Sequence, residues 1–585
     1  MPGSPVGSDL TEDAGVSVDG SPAKAEGGAD SVMVTSQIAE EEVERIRGQA
    51  VPGFPRADLV EAGMDPAPFE ELDKMLEENV GLGLDMVPGL AYVVLKNGRV
   101  VKSGAFGVTD VETKQPWRYD TICRIYSMSK TVTVCGFMLL VQEGRVSLED
   151  PVSKFFPAFA ADRLRVVPDD SVVESPDCVA AGTPILLKHL LTHTSGLSYG
   201  ASGGNKPSNA NEEAYQSLIE RVDRREFKDL AAWCDELAEM PLRVQPGQKW
   251  EYSYSIDLLG RIMEVVSGQR LDEFLQQRIL DPLGMHDTRF ALPQAKRERL
   301  ATLYRRVQNK EEEWVRADEP ADSAARSKWV EPEQPPVLMG GGTVGSIAGG
   351  LVSTMDDFAR LCMMMHNGGQ LEGVRLFSEE NMAFMTRNLL PELTGQEDAW
   401  CLGTPGLGFS LLGSIAVQHP AANWYDVPGE FGWGGLGGTA WAVDKRDGLV
   451  VLSFTQVLSE LWVDEELRKA VRRSLHYPEP EEQEEEETEK VPVQEAKETA
   501  SETDCAVAFT AAKDVGAVDQ PNPKSPRLVH EACHDRKRAI EDSDPDDSGE
   551  TPKKPKLVHG HDMDVHLSRK KLGLEADSHG PLLEA

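Results

Sequence analysis

Three groups of residues in the 585-residue chain carry side chains and spacings that could do chemistry. Ser127, Met128, Ser129 and Lys130 place a hydroxyl three residues before an amine at the start of a long apolar run. On a helix, residues i and i+3 share a face, so the Lys130 amine can reach the Ser127 hydroxyl. At ordinary serine and lysine frequencies such a spacing arises about twice by chance in a chain this long. Ser21 and Lys24 form one such decoy. Context separates the two: a helix N-terminus at Ser127 would supply positive potential and free N–H groups to an oxyanion, and apolar surroundings would shift Lys130 toward the neutral amine that can take a proton. Tyr252 is the second candidate, a phenol that beside a cationic amine can relay the serine proton to a leaving group; a tyrosine next to an apolar helix is otherwise a core residue. The third is Gly432, Trp433, Gly434, Gly435 and Leu436. Glycines there would let a ligand approach the backbone, and strand N–H groups can face a carbonyl oxygen; the bland alternative is a tight turn beside a buried tryptophan.

These residues need elements to hold them. Phe69, Leu72, Met75 and Leu76 fall at helical spacing within 69–80. Two β-rich runs follow, joined by Lys96, Asn97 and Gly98, and Asn-Gly between such runs predicts a hairpin. The run after Ser127 contains strand-favouring Thr131 to Val134, but its length, its apolar residues on all sides and the stop at Gly144 predict a helix. Asp150 before Pro151 reads as an N-cap and first helical position, and 185–197 as a helix ending in a polar turn. Residues 207–300 read as helical, with Ile256, Leu259, Ile262, Met263 and Val266 forming an apolar stripe just after Tyr252. Residues 303–337 read as a charged excursion. Ser353 and Thr354 read as caps of a helix packed through Phe358, Leu361 and Met365. A glycine-rich approach then leads into two strands joined by 444–448, and a last helix closes the globule near 476.

Outside 65–476 the composition changes. Residues 1–60 are rich in Gly, Ser, Pro, Ala and acids, and 478–585 in Glu, Pro, Lys, Ser and Asp, so both are expected to be disordered. With 60 Lys+Arg against 98 Asp+Glu the formal charge is -38, much of it in the acidic run 481–489. That balance argues against nucleic acid or an anionic membrane surface as a partner. The eight cysteines are scattered without a zinc-binding or disulfide spacing, and no metal or other cofactor is expected. No secretory leader is evident and the longest apolar run is too short for a bilayer, so a soluble cytoplasmic location is expected. Arg536 to Arg538 and Lys553 to Lys556 could act as a nuclear-import signal or simply as solvated charge. Oligomeric state is left open.

Taken together, SMSK at 127–130, YSYS at 252–255 and WGG at 433–435, in this order, resemble the active-site motifs of the serine β-lactamase-like hydrolases. The chain is most similar to the class C-like family VIII carboxylesterases and related acyltransferases. LLTHTSGL at 190–197 and GGGTVGSIAGGLVSTMDDFARL at 340–361 support the likeness. The resemblance implies an α+β fold: an antiparallel sheet built from N- and C-terminal segments, flanked by helices, with a mostly helical inserted region. It implies Ser127 as the acylated nucleophile, Lys130 as its base partner, Tyr252 as proton relay, and the backbone N–H groups of Ser127 and Leu436 as the oxyanion hole. Lys130 and Tyr252 both remain candidates for the acylation base. In lactamases the second motif has an Asn where Tyr254 stands, and the third a Lys where Trp433 stands. Trp433, Gly434, Gly435 and Tyr254 are therefore assigned to substrate binding, with an aromatic wall favouring a small uncharged ester bearing an apolar group over an anionic β-lactam. Trp424, Tyr425, Phe431 and Trp441 either extend that wall or belong to the core. The expected function is a serine carboxylesterase or acyltransferase; the alternatives are a β-lactamase or D-Ala-D-Ala peptidase, or a catalytically silent scaffold.

Overall fold

The computed structural model describes residues 53–478 except 82–85, 168–177, 201–209, 224–225, 308–312, 318–336, 343–349, 419–422 and 459–461. The acidic run and both basic clusters lie outside these residues.

Eight strands form one sheet: β1 (Gly89–Lys96), β2 (Arg99–Asp110), β3 (Gln115–Pro116), β4 (Leu407–Phe409), β5 (Ser414–Ala416), β6 (Phe431–Gly435), β7 (Thr439–Asp444) and β8 (Leu449–Thr455), in the order β4-β5-β6-β7-β8-β1-β2-β3. Every neighbouring pair is antiparallel. The last strand of the domain thus pairs with the first, Leu90 opposite Thr455 and Lys96 opposite Leu449, closing the sheet around the chain that intervenes. The β1–β2 turn has Asn97 and Gly98 both at positive φ (50° and 75°), the geometry that Asn-Gly adopts at least cost.

Alternation along the strands assigns the two faces. Ala91, Val93 and Leu95, with Val450, Leu452 and Phe454 across from them, join the larger core. Leu90, Tyr92 and Val94, with Leu449 and Val451, join the smaller one. Helices α1 (Ala67–Asn79) and α5 (Trp462–Ser474) cover that second face, presenting Phe69, Leu72 and Leu76 and Val463, Leu467 and Val471. The larger core is shared with α2 (Ser129–Gln142), α3 (Ser255–Ser267) and α4 (Met355–His366). The fold is the expected α+β sandwich. Helix α2 is buried from Ser129 through Leu140, and its two threonines satisfy themselves on carbonyls, Thr131 on Leu412 O (3.1 Å) and Thr133 on Gly340 O (2.7 Å). Packing on every side overrides their strand preference.

Residues 185–197 hold the expected helix and polar turn: the helix is short, Leu187–Leu191, and the turn enters left-handed backbone at His193 (φ 54°). Other local expectations change. Asp150 does not cap a helix. Its carboxylate accepts from Ser147 N (3.0 Å) and Lys154 Nζ (2.8 Å), and the following segment is a 3-10 turn with Pro151 at its N-cap. Of Ser353 and Thr354, the latter caps α4 by accepting from Asp357 N (3.2 Å), whereas Ser353 meets Thr288 Oγ1 at 2.7 Å. The glycine-rich approach is itself the strand β6, and β4 and β5 are additions too short for periodicity to reveal. Residues 53–60 pack onto the globule: Phe54 is buried in the larger core, and Ala57 N and Pro55 O bond the backbone of Val100.

Candidate active site

Ser127 sits in a tight 3-10 turn, Tyr126–Met128, that runs straight into α2. Tyr126 holds φ at 40°, uncommon for a bulky residue, and such backbone persists where its surroundings fix it. Glycines do the fixing. A Cβ on Gly342 would lie 1.8 Å from Tyr126 O, and one on Gly435 would lie 2.4 Å from Ile125 O. The end of β6 and the 340–342 turn therefore press directly on the backbone that presents the nucleophile. Leu436 is the first residue after β6, in the turn toward β7.

Lys130 Nζ donates to Ser127 Oγ (3.2 Å) and to Gly341 O (2.6 Å). Gly341 is held in turn by Asp257, whose Oδ1 accepts from Gly341 N at 2.7 Å. The ammonium also lies over the ring of Tyr252 (4.5 Å to the centroid) and that of Tyr199 (5.4 Å). Burial disfavours the charged amine and brings its pKa down from 10.5 to about 7, with the Asp257 carboxylate opposing the shift. The Tyr252 hydroxyl hydrogen-bonds Ser127 and accepts from Trp433 Nε1 (3.1 Å). Burial pushes this phenol above its ordinary value, and those two bonds work in the other direction.

The structure thus brings Ser127, Lys130, Tyr252 and Trp433 into one hydrogen-bonded group. Tyr254 stands at the N-cap of α3 with its ring against Tyr199 (4.4 Å), Trp233 (5.2 Å) and Tyr215 (6.2 Å), so it adjoins the group through Tyr199. The aromatic wall around Tyr252 is made by Trp250, His193, Phe409 and Trp433. Of the four aromatics left open between wall and core, Phe431 and Trp441 pack on each other in the larger core. Tyr425 lies under Arg468, and Trp424 stacks edge-on against Tyr425. Tyr199, His193, Trp250, Asp257 and Phe409 were not singled out from sequence. His193 falls within the family-like stretch 190–197, but Phe409 lies in a three-residue strand with no pattern to mark it.

A small, water-sized pocket opens beside Lys130, lined among others by Leu191, His193, Ile256, Phe409 and Trp433.

The β-lactamase family pattern matches residues 72–476. The chain belongs to the β-lactamase family. Protein Rv1367c of Mycobacterium tuberculosis is 32% identical over 385 residues, 65% of this chain and 88% of its own. Esterase EstB of Burkholderia gladioli is 27% identical over 420 residues, 69% of this chain and 96% of its own. Among solved structures, EstCE1, a hydrolase with promiscuous acyltransferase activity, superposes with a TM-score of 0.53 over 71% of this chain and 98% of its own at 23% identity, which places the fold. In this β-lactamase-family chain the SxxK, Tyr and WGG residues converge as the family's motifs imply, with Trp433 at the position expected for a lysine.

Proposed function

We propose that the protein is a serine carboxylesterase or acyltransferase that passes acyl groups of uncharged esters through an acyl-Ser127 intermediate. The observation that carries this reading is Lys130 Nζ, 3.2 Å from Ser127 Oγ in a buried site that lowers the amine pKa to about 7. A neutral amine at neutral pH can take the serine proton as Oγ attacks the ester carbonyl. Tyr252, its pKa raised by burial, holds its proton and is suited to hand it to the departing alkoxide as the acyl carbon–oxygen bond breaks. Lys130 then returns its proton to the phenol. Water repeats the sequence in deacylation to give hydrolysis; an alcohol or amine gives transfer. This favours Lys130 over Tyr252 as the acylation base. The backbone N–H groups of Ser127 and Leu436 are proposed to hold the oxyanion, an arrangement supported by the close approach of Gly435 to Ile125 O.

The substrate preference rests on Trp433. With its indole bound to Tyr252 and its ring perpendicular to that of Phe409 (5.5 Å), this position offers an aromatic wall and no cation for a carboxylate. The relatives' names, esterase and a hydrolase with acyltransferase activity, point the same way.

The test is fluorophosphonate labelling with peptide mapping, together with a burst assay on short p-nitrophenyl esters. Label on Ser127, lost in Ser127→Ala, is the expected result. Equal labelling of Ser127→Ala would reject Ser127 as the nucleophile, and faster turnover of a chromogenic cephalosporin than of any ester would make the enzyme a lactamase instead.

A further inference from the structure

His193 lies in the wall of the site pocket, 1% exposed, and the proposed acyl-transfer steps make no use of it. Its ring is 4.8 Å from that of Tyr252 and 5.6 Å from that of Phe409. The backbone at His193 is left-handed (φ 54°), a conformation that a non-glycine residue keeps only where its surroundings impose it. Of the residues lining the pocket, Lys130 is engaged with Ser127 and Gly341, and Trp433 Nε1 with Tyr252. Among the described residues, His193 Nε2 is buried without a hydrogen-bond partner.

The other ring nitrogen ends a buried chain of hydroxyls. Nδ1 is 3.3 Å from Ser253 Oγ, which is 2.8 Å from Ser255 Oγ, itself 2.8 Å from Ser195 Oγ. Ser195 Oγ accepts from Leu197 N at 3.1 Å. All three serines are fully buried. Each hydroxyl has one proton to place. If Ser195 donates to Ser255, Ser255 to Ser253 and Ser253 to Nδ1, every serine proton has an acceptor and only Nε2–H is left without one. Any other order leaves one serine proton without an acceptor among the described residues and Nε2 an unfilled acceptor as well. The serine chain therefore makes Nδ1 an acceptor and fixes the proton on Nε2. Burial and the neighbouring Lys130 hold the histidine pKa well below its ordinary value, so the ring stays neutral with that one N–H.

We infer that His193 is a specificity-determining residue whose Nε2–H donates to an oxygen acceptor on the substrate, so that the preferred ester carries an ether, hydroxyl or carbonyl oxygen in the part seated in this pocket. This rests on the esterase reading above and deepens it. A pocket whose other polar side chains, Lys130 and Trp433, are already engaged and which keeps one fixed donor is a selective arrangement: a substrate group lacking the acceptor buries the N–H unpaired, whereas a matching oxygen satisfies it. The free space in this pocket is about that of one water molecule, so it takes the acceptor oxygen itself rather than a larger group.

The experiment compares pairs of esters that differ by one oxygen for one methylene. Methoxyacetyl against butanoyl and 3-methoxypropanoyl against pentanoyl p-nitrophenyl esters probe the acyl side. 2-Methoxyethyl against butyl butanoate probes the alcohol side. Each kcat/KM is divided by the rate of hydroxide hydrolysis of the same ester, which removes intrinsic reactivity. The expected result is a preference for the oxygen-bearing member of at least one pair by on the order of tenfold or more. That ratio should fall to about one in His193→Phe. Ser253→Ala keeps the ring in place, frees the tautomer and should lower the same ratio, which covers failure of the phenylalanine variant to fold. A ratio near one for every pair in the wild-type protein, or a ratio unchanged in both variants, overturns the inference while fluorophosphonate labelling of Ser127 still upholds the esterase. Absence of both labelling and ester turnover overturns both.

Discussion

Replacing Lys130 by methionine separates the electrostatic cost of the site from its chemistry. The amine has its folded-state pKa lowered from 10.5 to about 7 because burial disfavours the ammonium. The unfolded chain keeps this proton up to about pH 10.5, whereas the folded protein releases it near 7. Between these values the unfolded state binds more protons, so this group makes the protein more stable as pH rises, by at most about 1.4 kcal/mol per pH unit. From pH 7.0 to 8.5 the gain is about 2 kcal/mol, since the folded amine is only half deprotonated at the start of that window. Lys130→Met removes this dependence. It also leaves Gly341 O without its 2.6 Å donor, but that loss, about 1 to 3 kcal/mol, is independent of pH. The measurement is urea denaturation of both proteins at half-unit pH steps, reading the difference in slope so that other titrating groups cancel. Wild-type stability should gain on the variant by about 2 kcal/mol across the window. Acylation by the wild-type enzyme should rise over the same range with a midpoint near 7, while Lys130→Met is inactive throughout. Parallel stability curves would refute the argument, because they would mean that the buried amine titrates alike in the folded and unfolded chain.

Trp433→Phe keeps an aromatic wall but deletes the 3.1 Å indole bond to the Tyr252 hydroxyl. It should lower kcat about 5- to 100-fold with a smaller change in KM, read by stopped-flow acylation. Gly435→Ala would place a methyl 2.4 Å from Ile125 O, so Tm should fall and ester turnover with it, whereas Gly144→Ala, with open space around its Cβ, should leave turnover intact; calorimetry and p-nitrophenyl ester assays compare the two. A chain cut to 53–478 should keep the kcat/KM of the full protein, since every group in the proposed chemistry lies between Tyr126 and Leu436.

The two ends of the sheet show where sequence reasoning stopped. Asn97-Gly98 and the alternating runs beside it declare the β1–β2 hairpin locally, because only a left-handed turn suits that pair. Strands β4 and β5 have three residues each, too few for a period to emerge, and they exist because β6 offers them an edge. The helix and polar turn of 185–197 are legible in the sequence, but the left-handed backbone at His193 within that turn is not.

By itself the sequence determined the chemical identity of the centre. A hydroxyl and an amine one helical turn apart, a tyrosine before an apolar helix and a glycine-flanked tryptophan are local facts, and their order and spacing carry the family. Only the tertiary structure decided how those groups are tuned. The pKa near 7 at Lys130 comes from burial against Tyr252, Tyr199 and the 340–342 turn, from segments up to about 210 residues away. The bond from Trp433 to Tyr252 spans 181 positions. The proton on His193 Nε2 follows from serines that meet only when 195 and 253–255 are packed together. Desolvation and hydrogen-bond direction belong to the assembled neighbourhood of a residue, and that neighbourhood exists only once the sheet has closed and brought these segments side by side.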